Sequence, residues 1–90
     1  MDSSFVPRLK EARLYRGLSQ KEVAELLEIP ERLYLALEEN KVEIRLYLSL
    51  KFCELLNVSF RYITYETDEI GEYDLNTSYR NMKRHQDWKI

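Results

Sequence analysis

Apolar residues recur at helical spacing from Leu9 to Ile63, and a turn signal interrupts each run. Leu9 and Ala12 mark the inward stripe of a first helix expected from Phe5 to Arg16; Ser4 can cap it, Pro7 suits its first turn, and Gly17 offers a left-handed stop. Ser19-Gln20-Lys21-Glu22 then reads as a capping box, in which the Ser hydroxyl and the Glu carboxylate satisfy backbone donors at a helix start. Val23, Ala24 and Leu27 carry that second helix inward. Pro30 begins a third, from Glu31 to about Glu39, with Tyr34, Leu37 and Leu33 on one face and Asn40 as its left-handed exit. A fourth is expected from about Arg45 to Leu56, carrying Leu46, Leu50, Phe52, Cys53 and Leu56, and ending at Asn57. A short fifth follows Ser59, and Val58, Phe60 and Ile63 close the core.

Only two Gly and two Pro in 90 residues leave little room for linkers, so the helices are joined by tight turns within one domain. The expected division is a helical domain over 5–65 and a C-terminal extension over 66–90. Beyond Glu66 the periodicity fails, and the extension reads as disordered, as a short helix from about Asn76, or as part of a dimer contact. No apolar run approaches the roughly 18 residues of a membrane span, and Met1-Asp2-Ser3-Ser4 lacks the basic and apolar segments of a signal peptide, so a cytoplasmic location is expected. A single cysteine, Cys53, and a single histidine, His85, supply no disulfide and no metal cage. No nucleophile–base arrangement or Gly-rich phosphate loop is visible, so neither enzymatic activity nor a cofactor is expected.

Leu9, Arg13, Gly17-Leu18-Ser19-Gln20, Val23-Ala24, Leu27, Ile29, Leu37-Glu38, Leu46, Cys53, Leu56, Val58-Ser59 and Ile63 together resemble the Cro/repressor-type helix-turn-helix domains of the XRE family. The resemblance covers residues 8–64. It implies an all-α, compact five-helix phage-repressor-like fold with a short C-terminal extension, the second and third helices forming the DNA-reading pair. It also implies a partly buried salt bridge between Arg13 and Glu38. Gln20 falls at the start of helix 2, where its amide and free backbone N–H groups can meet a phosphate; the alternative is a solvated helix-start residue. Pro30, Glu31, Arg32 and Ala36 fall where the family touches bases: Arg32 can grip guanine, Glu31 can accept from cytosine, and Ala36 can meet a thymine methyl. Lys41 and Arg45 follow helix 3 as candidate phosphate anchors. Arg8, Lys10 and Arg16 make helix 1 basic, and for all these cations plain solvated charge is the alternative reading.

Charge pulls against this assignment. The chain carries a net −2, and residues 19–40 hold Lys21 and Arg32 against Glu22, Glu25, Glu28, Glu31, Glu38 and Glu39, a net −4. A duplex carries one negative charge per about 1.7 Å, so that balance is unfavourable. Glu28 stands where the family usually has the turn Gly. Leu14, Tyr15, Leu26, Leu33, Leu35, Tyr47 and Leu48 occupy positions the family commonly fills with polar residues. Among the seven tyrosines, Tyr62 and Tyr65 lie in Phe60-Arg-Tyr-Ile-Thr-Tyr65, where family members often dimerise. Two functions therefore stand: a repressor-like, sequence-specific regulator binding double-stranded DNA as a homodimer, or a degenerate helix-turn-helix serving as a protein-interaction co-regulator or antagonist in a phage or mobile-element switch. Leu33, Leu35, Tyr62, Ile63 and Tyr65 are the candidate partner surface.

Overall fold

The computed structural model describes residues 7–74, so the expected Ser4 cap, Phe5 and the helix expected from Asn76 lie outside the described residues. Five helices occur there: α1 (Leu9–Tyr15), α2 (Gln20–Leu27), α3 (Glu31–Glu38), α4 (Leu46–Leu56) and α5 (Phe60–Ile63). The fold is all-helical. The Ser19 cap forms as a reciprocal pair, with Glu22 N–H donating to the Ser19 hydroxyl at 3.0 Å and Ser19 N–H donating to the Glu22 carboxylate at 2.8 Å. Such a cap contributes about 1 kcal/mol.

All five helices end in the same way. A residue in the left-handed region follows each one: Gly17, Glu28, Asn40, Asn57 and Tyr65, with φ of 70, 62, 60, 54 and 67°. The next N–H then reaches back to a carbonyl five residues earlier: Leu18 to Arg13, Ile29 to Ala24, Lys41 to Ala36, Val58 to Cys53 and Glu66 to Arg61, at 2.8–3.2 Å. This closure satisfies carbonyls that the helix leaves without partners. Gly adopts the conformation without steric penalty and Asn tolerates it, whereas Glu28 and Tyr65 each carry a cost of about 1–2 kcal/mol.

α2 packs on α3 and α4, and α4 packs on α5. Val23, Ala24 and Leu27 of α2 meet Tyr34 and Leu37 of α3 and Phe52, Cys53 and Leu56 of α4 in one core, with Leu9 and Ala12 closing it from α1. Cys53 is fully buried, and burial pushes its thiol up to about 12. A native chain should therefore resist alkylation at neutral pH, because the thiolate is the reactive species. Mass-spectrometric counting of iodoacetamide adducts, with and without denaturant, checks this; rapid labelling of the folded chain would refute it.

Two sequence expectations need correction. The first helix begins at Leu9, and Pro7 lies outside it, because the Arg8 backbone is non-helical (φ −85°, ψ 64°) and its N–H donates instead to the Ile63 carbonyl at 3.0 Å. Helix 3 ends at Glu38 and the fourth helix starts at Leu46 with Arg45 as its extended N-cap, each within one residue of the expected bound. Leu46 is exposed: the buried stripe of α4 begins one turn later, at Ser49 and Leu50. Residues 66–74 take no helical form, yet they stay on the body. Ser59 N–H donates to the Ile70 carbonyl at 2.8 Å, Tyr73 N–H donates to the Asn57 side-chain oxygen at 3.1 Å, and Ile70 and Tyr73 join the core.

Candidate nucleic-acid interface

The joint between α2 and α3 is short. α2 closes through Glu28, Ile29 tucks against the core, and Pro30 is the extended N-cap of α3. Its position aims the first turn of α3 outward: Glu31 and Arg32 are exposed, while Tyr34 and Leu37 face in. Leu35 and Ala36 are half-buried at the edge.

A polar cluster fixes this pair of helices to α1. Arg13 Nε donates to Glu38 Oε2 at 2.5 Å and Arg13 Nη2 donates to Oε1 at 3.3 Å, while Arg13 Nη1 donates to the Leu18 carbonyl at 2.9 Å. Tyr34 donates its hydroxyl proton to Glu38 Oε2 at 2.6 Å, and the Gln20 amide donates to Oε1 at 3.0 Å. Four donors thus meet one carboxylate. Burial pushes the Glu38 carboxyl up, but Arg13, then Tyr34 and Gln20, outweigh it and hold it below the usual range. Burial, together with the hydrogen bond to Glu38, drives Tyr34 far above an ordinary phenol. The Gln20 side chain, expected at a phosphate, is turned inward with one N–H; its second N–H and its oxygen have no partner among the described residues.

Residues 9–63 match the family model described as helix-turn-helix. The chain is a member of this XRE-type helix-turn-helix family. The family is one of DNA-binding transcription regulators. No curated protein and no solved structure matches the chain.

Placed on this helix-turn-helix, the cations divide into two sets. One set holds the fold. Arg16 donates to the Leu56 and Asn57 carbonyls, both at 2.7 Å, capping α4 from the end of α1. Lys51 donates to the Leu27 carbonyl at 3.3 Å, capping α2 from α4. Arg8 lies between the rings of Tyr62 and Tyr65, 4.2 and 4.1 Å from their centroids, with Glu11 and Asp68 each 3.6 Å away. Arg8 and Arg16 are thus removed from the phosphate anchors the sequence suggested. The other set points outward. Lys10, Lys21, Arg32 and Arg45 are exposed and make no ion pair among the described residues. Lys41 is exposed and 3.1 Å from the Glu39 carboxylate, a surface pair worth little in water.

Two of the five residues expected to form a partner surface lie in the core. Ile63 is fully buried and Tyr62 nearly so, because α5 turns both into the core. Tyr65 is exposed but stacked on Arg8, Leu33 stands at the surface of α3, and Leu35 is half-buried. Leu14, Tyr15, Leu26 and Tyr47 are exposed, while Leu48 packs against the core. The bracing roles of Arg8, Arg16 and Lys51 had no sequence signal, since a basic residue beyond a helix end declares its partner only when that partner is local. Among the described residues no group of three or more His, Cys, Asp or Glu gathers to hold a metal ion, and no helix is long and apolar enough to cross a membrane.

Proposed function

We propose that the protein is a sequence-specific, repressor-like regulator of transcription that binds double-stranded DNA as a homodimer, with α3 in the major groove, and that it works in the cytoplasm. One observation carries this reading: within a helix-turn-helix, Arg32 stands exposed on the first turn of α3 with no ion partner among the described residues. A guanidinium there can take guanine O6 and N7 together, Glu31 can accept from cytosine N4, and Pro30 and Ala36 can supply apolar contact to thymine. Lys21, Lys41, Arg45 and the outer half of the Gln20 amide serve as phosphate anchors, which position the protein without specifying sequence.

The test is a fluorescence-anisotropy titration at several salt concentrations, using a duplex selected by the protein from a random pool and a scrambled version of it. With Lys21, Lys41 and Arg45 on phosphates, log K should fall against log salt with a slope of about −3 per protomer. Equal, weak binding to both duplexes at low salt would overturn the reading. Sedimentation of the free protein and the complex tests the dimer.

With Glu38 buried against Arg13, the exposed side chains of residues 19–40 still carry a net −3, and Leu26 and Leu33 stand exposed among those carboxylates, which favours a second reading in which this face binds a protein instead. The same duplex experiment separates the two, and Leu33→Glu should then abolish a hetero-complex while leaving the fold intact.

A further inference from the structure

Of the five helix closures, two place a residue in the left-handed region that is poorly suited to it, Glu28 and Tyr65. A cation from another element stands by each of these two, Arg8 stacking on the Tyr65 ring and Lys51 reaching the end of α2, as Arg16 does at the better-suited Asn57. The Lys51 contact sits at the helix-turn-helix joint itself. Lys51 lies in the middle of α4, its side chain is only 17% exposed, and its ammonium donates to the Leu27 carbonyl at 3.3 Å while standing 4.0 Å from Glu28 Oε1. Leu27 is the last residue of α2, so its carbonyl is among those the helix leaves without a partner, and the negative end of the helix dipole meets a cation there.

We propose that Lys51 is a positioning residue for base recognition. By holding the last carbonyl of α2 and lying beside the left-handed Glu28, it fixes the turn and with it the angle at which α3 presents Arg32. A glycine in the turn would close without such a brace; with glutamate in place, the closure depends on α4. This rests on the DNA-reading function proposed above, but it makes a separate claim about the joint.

The experiment compares wild type, Lys51→Met, Lys51→Arg and the double variant Glu28→Gly/Lys51→Met. Two readouts are used. The first needs no DNA: amide hydrogen exchange at Glu28 and Ile29, with Leu18 and Val58 of the other closures as internal controls. The second is the affinity ratio between the selected duplex and its scramble, with the salt slope of each. Lys51→Met should speed exchange at Glu28 and Ile29 alone, and it should lower the affinity ratio about tenfold, as expected for sites coupled through a backbone shift. The salt slope should stay unchanged. Lys51→Arg should keep wild-type behaviour, and the double variant should regain both exchange protection and ratio, because a glycine in the turn closes the helix unaided.

An unchanged ratio in folded Lys51→Met overturns the proposal. So does an equal loss on both duplexes with a shallower slope, which would make Lys51 a phosphate contact, or a loss that the double variant leaves in place. If Lys51→Met does not fold, the double variant decides: failure to restore the fold overturns the proposal. If wild type itself does not distinguish the duplexes, the DNA-reading function fails, and the exchange pattern still judges the brace.

Discussion

Replacing Glu38 with alanine is expected to destabilise the fold by about 3–5 kcal/mol, the effect of stripping one partner from a buried ion pair. The Glu38 carboxylate accepts from Arg13, Gln20 and Tyr34, and the Arg13 side chain it would abandon is only 8% exposed. Arg13 keeps its bond to the Leu18 carbonyl in the variant, but its charge is left uncompensated. For a domain of this size each kcal/mol shifts Tm by roughly 4–8 °C, so a loss of at least about 12 °C should appear by differential scanning calorimetry. Glu38→Gln keeps the shape and should lose less. A drop below about 1 kcal/mol for Glu38→Ala would mean that the cluster is solvated in the native state.

Acid provides an independent check. Glu38 is held below its ordinary value in the folded chain, so its contribution is fully present above the unfolded carboxylate value of about 4.3. It is lost as pH falls through the lower folded value. Urea unfolding of wild type should therefore weaken in that acid window, and the Glu38→Gln variant should lack that part of the decline.

Arg32→Ala should cost about 1–3 kcal/mol in affinity for the selected duplex, with relaxed preference at one base position and nearly unchanged binding to the scramble. The reason is geometric. Arg32 stands on the outer first turn of α3 and has no ion partner among the described residues, so its removal takes away a reading contact without disturbing the core. Lys41→Ala should behave differently, weakening both duplexes alike and making the salt slope shallower by about 1. Anisotropy titrations against duplexes substituted one position at a time distinguish the two patterns. Unchanged affinity and footprint for Arg32→Ala would remove Arg32 from the reading surface.

The helix pattern was legible where the signals are local. Ser19 and Glu22 lie three residues apart, and Gly17, Asn40 and Asn57 are residue types that tolerate a left-handed exit. Tyr65 in that conformation was not legible, because an aromatic side chain gives no reason to expect it. Leu46 misled because spacing alone cannot tell a first-turn residue at the edge of the body from one above the core. At the site, the exposed first turn of α3 is what the family resemblance implied, whereas nothing in the sequence foretold the fate of the cations. Lys51 meets a carbonyl 24 residues away and Arg16 one 41 residues away, and only the packing of helices brings such groups together. Residues 66–74 were equally opaque, since Tyr73 is tied by its backbone to the Asn57 side chain.

The two sets of cations lie under separate constraints. Arg8, Arg13, Arg16 and Lys51 are tied to carbonyls, rings and a buried carboxylate, so a change at any of them is felt by the whole molecule. Lys21, Arg32, Lys41 and Arg45 stand outside that framework and can drift without disturbing it. A lineage built this way can shed its hold on nucleic acid one surface substitution at a time and keep its shape throughout, leaving the same scaffold open to recruitment for other work.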